Sequence, residues 1–204
     1  MHTTGFSTDG EADSPTGWSD GDASLVRRVA GRFGVDARNL FERSTDPGVD
    51  GALAALETFY FALNNGQLDL ITATWAANPL VQLNNPLGGI IRGRSGVTAL
   101  YERLFRSQVG LTVTLSDIGM YADEHHVVFA GRENGTFVEP ATGAELEIEI
   151  RTTRYFRNEP DVHRWQQFHH HGSVDDAAVL AAYRGAVADA ADREVRSSAS
   201  RTHD

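Results

Sequence analysis

The residues that could do chemistry crowd into the last third of the chain. RWQQFHHHGS (164–173) sets three histidines side by side, and RTTRYFRN (151–158) runs ahead of it with three arginines. On a strand, side chains alternate between faces, so His169 and His171 share a side with Trp165 and Gln167, and His170 turns the other way with Gln166 and Phe168. Two imidazoles at i and i+2 could hold a transition metal. One neutral imidazole could instead work as a general base near pH 7. A metal would need further ligands, and no second H-x-H or acidic cluster supplies them. His125 and His126 fall in a turn, so no metal site is expected. His169 and His171 are the candidate catalytic bases. The other reading makes them satisfiers of buried polar groups.

In ELEIEIRTTRYF (145–156) the apolar set Leu146, Ile148 and Ile150 continues through Thr152 and Arg154 to Phe156, opposite Glu145, Glu147, Glu149, Arg151, Thr153 and Tyr155. The apolar face must be the covered one, which puts Arg154 inside. A guanidinium there requires a partner, because an unpaired buried charge is costly. The partner is an anionic ligand or an internal acid. Glu133 in GREN, beside a possible bulge at Gly131, is the best acid. Trp75 is a core residue or a stacking platform. Asn84 and Asn85 could orient a ligand carbonyl or simply form the turn before Pro86. Gly88-Gly89 lacks the context of a phosphate loop and reads as a hairpin turn.

The elements that must hold these residues follow from periodicity. Residues 52–67 carry Leu53, Leu56, Phe59, Tyr60 and Leu63 on one helical face and stop at Asn65-Gly66. LDLITATWA makes a second short helix, PLVQLNNPLGG and GIIRG two short strands, and SGVTALYERLFRSQ a helix capped by Ser95. Three or four long antiparallel strands follow from residue 111, and DDAAVLAAYRGAVADAADRE forms a last helix. Helices followed by strands predict an α+β fold, with helices on one face of a curved antiparallel sheet. Residues 1–22, polar and Gly-rich, are expected to be disordered. Residues 22–44 show helical spacing at Leu25, Val26, Val29 and Phe33. The division is a tail and helical arm over 1–48, a cone domain over 49–174, and a C-terminal helix and tail over 175–204.

Composition narrows the chemistry. The 204 residues include no Cys, and all 18 basic residues are Arg. Thiolate nucleophiles, disulfides and lysine Schiff bases are excluded. The net charge of −10 repels phosphate backbones and anionic membranes, so neither nucleic acid nor membrane is an expected partner. No apolar run reaches the ~18–20 residues of a membrane span, and the acidic N-terminus has no secretory h-region. A cytoplasmic protein is expected.

The order of elements resembles the nuclear transport factor two-like, or SnoaL-like, cone fold over about residues 50–185. FYFALNNGQLDLITATWA is similar to that family's opening helix pair. LNNPLGGIIRGRSGVTALYERLF resembles its strand, turn and helix start. RTTRYFRN with RWQQFHHHGS is similar to the ending shared by SnoaL-like proteins and the calcium/calmodulin-dependent kinase association domain. The resemblance implies a pocket in the cone, and an anion-accepting role for Arg154 at the family's T-R position. It does not imply one activity, since such folds host isomerases, cyclases, dehydratases, hydrolases and non-catalytic modules. Ketosteroid isomerase chemistry is excluded: the family's basic Asp is Asn85 here, its oxyanion-holding Tyr falls on Phe59 with Tyr60 one place off, and its second acid falls near Thr153.

The expected function is a cofactor-free pocket for an apolar small molecule with an anionic or carbonyl end, lined by Arg154, Asn85, Trp75, Phe59, Tyr60 and Glu133, in a homodimer formed through the convex sheet face. The alternatives are a cyclase, dehydratase or isomerase with a His base and Arg/Asn stabilisation of an enolate or carboxylate, and an oligomeric interaction module.

Overall fold

The computed structural model describes residues 25–86, 88–107, 109–139 and 142–188. Seven strands form one curved mixed sheet in the order β1-β4-β5-β6-β7-β2-β3. They are β1 Leu25–Val29, β2 Gln82–Asn84, β3 Ile90–Arg92, β4 Thr112–Ala122, β5 His126–Val138, β6 Glu145–Glu159 and β7 Arg164–Val174. All neighbours are antiparallel except β2 and β7. Three helices, α1 Gly48–Asn64, α2 Leu68–Ala73 and α3 Arg94–Arg106, precede the long strands. A fourth, α4, runs over 177–188. This is the α+β cone expected from the sequence. Among the described residues, no helix is long and apolar enough to cross a membrane.

Helix α1 is buried on nearly every side, because the sheet curls around it. Leu56, Phe59 and Tyr60 meet Leu115, Met120 and Phe129 of the sheet and Trp75 and Trp165 at its margin in one core cluster. Asn64 fixes the helix end to β4: its amide donates to the Val113 carbonyl at 2.9 Å and accepts the Val113 N–H at 2.8 Å. That reciprocal pair locks α1 in register with the sheet. It also satisfies polar groups that burial would otherwise penalise.

The region before α1 differs from expectation. Residues 25–29 form an edge strand on β4 instead of a helix, and Phe41–Thr45 is a single 3-10 turn. Two arginine anchors hold this segment against the cone. Arg38 grips Glu57 of α1 with Nε–Oε1 at 2.7 Å and Nη2–Oε2 at 3.1 Å. Arg164 of β7 stacks on Phe41 at 3.9 Å and donates to Ser44 Oγ at 2.7 Å. A short run with two valines beside an open sheet edge gains a ladder of backbone hydrogen bonds, which outweighs its weak helical periodicity. The disorder expected over residues 1–22, and the end of the C-terminal helix with its polar tail expected within 175–204, lie outside the described residues. At α3, Gly93 stands at the cap position with φ 73° and no side chain caps the helix, so Ser95 is not the N-cap.

Two bulges shape the sheet. The β4–β5 register shifts between Ser116 and Gly119. Opposite this shift, a Cβ on Gly131 would lie 2.7 Å from the Ser116 carbonyl, so only glycine fits there. The β6–β7 register shifts where Tyr155 pairs with His169 but Phe156 pairs with Gln167. Phe168 is therefore the extra residue.

A buried polar cluster inside the cone: candidate functional site

Strand β6 alternates as its sequence requires: Ile148, Ile150, Thr152, Arg154 and Phe156 are buried while Glu145, Glu147, Glu149, Arg151 and Thr153 are exposed. Arg154 thus points into the cone, with only 1% of its side chain exposed. Its three nitrogens are all engaged. Nε donates to the Tyr60 hydroxyl at 2.9 Å, Nη1 to Gln167 Oε1 at 3.0 Å, and Nη2 to Glu133 Oε1 at 2.7 Å. The Tyr60 hydroxyl itself donates to Glu133 Oε1 at 2.5 Å. The guanidinium also lies 3.9 Å from the centre of the Phe59 ring, a contact that stabilises a desolvated cation. Burial opposes the charge on Arg154, but Tyr60 and Glu133 outweigh it and raise its pKa above the ordinary arginine value. Burial pushes the Tyr60 phenol up as well, so it stays protonated.

Beside this cluster lies a cavity of about 150 Å³. Phe59, Leu63, Leu83, Leu100, Leu104 and Val113 supply an apolar wall, and Glu133, Arg154, Asn85 and His170 supply polar groups. Pro86 closes one side by packing on β7: a Cβ on Gly172 would come within 2.5 Å of the Pro86 ring. Tyr183 and Val187 of α4 also reach the wall, and the Tyr183 ring packs at a tilt against Phe137 with centroids 4.9 Å apart.

The structure brings four of the expected residues, Phe59, Asn85, Glu133 and Arg154, into the cavity wall. Tyr60 sits behind them, bonded to Glu133 and Arg154 as described. Trp75 is fully buried in the core, bridges Gln167 in parallel pairing, and is not part of the wall. The histidines are a correction. Because Phe168 bulges out, parity shifts along β7: Trp165, Gln167 and His170 face in, and His169 and His171 turn to the outer face, where His171 is exposed. The candidate bases His169 and His171 therefore do not reach the cavity, and the imidazole that does is His170. Its Nε2 lies 2.9 Å from Thr152 Oγ1, and its Nδ1 is buried without a partner. Burial first, and then the Arg154 cation, hold its pKa well below the usual imidazole value, so it is neutral.

Besides His170, two tyrosines of the wall escaped the sequence reading. Tyr101 of α3 is buried beside Arg154, with its phenol pKa pushed up by that burial. It is the aromatic of the Y-x-x-x-F pair with Phe105, on which it stacks, and that spacing was its only signal. Tyr183 belongs to an apolar stripe, Val179, Ala182, Tyr183, Ala186 and Val187, which packs on Val109, Phe137 and Ile150.

A curved, unclosed sheet wrapped over a helix, with a part-polar cavity at its depth, defines the class of α+β cone folds. The chain belongs to the SnoaL-like domain family, whose sequence pattern matches residues 56–162. Three of the solved structures that resemble it illustrate the likeness. A provisionally assigned dehydratase of the NTF2-like family from Streptomyces avermitilis is 21% identical with a TM-score of 0.56, covering 63% of this chain and 97% of its own. A calcium/calmodulin-dependent protein kinase II association domain, also provisionally assigned, from Xanthomonas campestris is 17% identical with a TM-score of 0.54, covering 65% and 91%. A ketosteroid isomerase-like protein from Erwinia carotovora atroseptica is 17% identical with a TM-score of 0.51, covering 61% and 93%. At these identities the likeness is one of fold. A sequence comparison with curated proteins finds no match.

Proposed function

We propose that this protein binds a small molecule inside the cone, with an apolar body against the leucine and Phe59 wall and a polar end at the Arg154 cluster. The observation that carries this reading is the meeting of an apolar cavity with hydrogen-bonding groups that are held rigidly at its depth. Such a site orients a ligand without first having to order its own side chains. Two copies would associate through the outer sheet face, where Arg132, Glu147, Glu149 and Arg151 give charges of both signs.

A second reading is turnover. The neutral His170 imidazole in the cavity wall favours it, since a base of that kind needs no carboxylate partner. Arg154 and Asn85 would then stabilise an enolate or carboxylate formed on the substrate. The names of the dehydratase and isomerase-like neighbours point in the same direction.

The test is thermal unfolding of the full chain with a panel of ring-sized ketones, amides, phenols and acids, beside Leu100→Phe, which fills the cavity from α3. Ligand at a hundredfold excess over its dissociation constant stabilises by about 2.7 kcal/mol. That amounts to several degrees in a domain of this size, and the shift should vanish in the filled variant. No shift with any compound, from a folded oligomer, would favour an interaction module instead.

A further inference from the structure

The inner cluster balances its own charge. Arg154 and Glu133 face each other at 2.7 Å with 1% and 4% of their side chains exposed. One positive and one negative charge therefore cancel inside the cone. Both hydrogen bonds to Glu133, from Tyr60 and from Arg154, end on Oε1. Among the described residues no donor reaches Oε2, and Glu133 is part of the cavity wall. Arg154 carries five N–H groups; its bonds to Tyr60, Gln167 and Glu133 occupy three, and the Tyr101 hydroxyl engages a fourth. The cavity wall thus sets an open acceptor beside the one remaining arginine donor, with no net charge between them.

The rest of the wall adds none at depth. His170 is neutral for the reasons given above, and burial keeps the Tyr101 and Tyr183 phenols protonated. Arg103 also reaches the cavity but is exposed at its rim, where water and salt weaken its field. A carboxylate entering the cone would lose its hydration without gaining an unshared cation, and would lie beside Glu133. An uncharged group with a donor next to an acceptor would satisfy both open partners.

Building on the pocket reading, we propose that the cone selects a neutral, ring-sized molecule bearing an adjacent donor and acceptor, of the primary carboxamide type, over the isosteric carboxylate. The cavity is about the size that accepts one benzene ring. Benzamide and benzoate are therefore suitable probes, alike in shape and different in charge.

Titration calorimetry of the full chain at fixed ionic strength should show benzamide binding at least tenfold tighter than benzoate, and Leu100→Phe should abolish it. Glu133→Gln, which leaves the Arg154 charge unshared, should move the preference toward benzoate by tenfold or more. Equal or tighter benzoate binding to the wild type would overturn the selectivity and leave the pocket reading standing, whether or not the variant folds. Binding of neither probe would overturn both.

Discussion

Strand β6 carries arginine on both of its faces, and the two faces use it differently. Arg151 points outward and meets Asp175 at 2.6 Å with both side chains more than half exposed. Arg154, three positions on, points inward and meets Glu133 at nearly the same distance with both almost fully covered. The residue types and the separation are alike. What differs is the water. Outside, water screens the charges and the pair can break at little cost. Inside, each partner depends on the other, because neither can be solvated alone. Strand β7 repeats the lesson with imidazoles: His171 stands in solvent, while His170 is stripped of it and kept neutral.

The sharpest break in that comparison is Arg154→Ala. It leaves Glu133 buried without its cation and should lower unfolding stability by about 3–5 kcal/mol in urea titrations. The double replacement Arg154→Met with Glu133→Leu should recover most of the loss, because no charge is then left stranded. A single variant as stable as the wild type would mean that water enters the cluster freely.

The histidines give the next effect, and it depends on pH. The folded-state pKa of His170 lies below its unfolded value of about 6.5. As pH falls below that value the unfolded chain takes up a proton and the folded chain does not. This contribution to stability is complete above about pH 6.5 and is lost on acidification, at up to about 1.4 kcal/mol per pH unit, until the folded-state pKa is reached. His170→Gln should remove one proton's worth of that slope between pH 6.5 and 5, and His171→Ala should leave it in place. Identical slopes in both variants would refute the assignment.

The smallest effect belongs to the outer pair. Arg151→Ala should cost less than about 1 kcal/mol, and the difference from wild type should shrink toward zero at 1 M salt, where the screening length is about 3 Å. A persistent loss at high salt would show that the outer face is covered, as dimerisation through it would require.

Much of this was legible in the chain itself. A run such as ELEIEI has only one way to alternate, so the face of β6 that carries Arg154 followed from period-two patterning, and the burial of Arg154 then called for an anionic ligand or an internal acid, with Glu133 the best placed acid. The aromatic face of α1 and the order of helices and strands followed from the same local patterns, because burial of apolar side chains is what selects those elements.

The sequence did not reveal what depends on non-local pairing. A bulge adds one residue to a strand and exchanges every face beyond it, so Phe168 decided which histidine enters the cone. Nothing in FHHH shows where the register shifts, since that is set by how β6 and β7 align. Residues 25–29 became a strand because the edge of β4 was free to pair, a fact absent from their own periodicity. Tyr101 and Tyr183 lie far apart in the chain and become neighbours of Arg154 and Glu133 only when α3 and α4 close on the sheet. The sequence by itself determined the architecture, the inward face of β6 and the absence of thiol and lysine chemistry, because composition and local pattern are properties of the chain. Only the tertiary structure decided which imidazole is buried and how the charges cancel, because desolvation and register arise between segments.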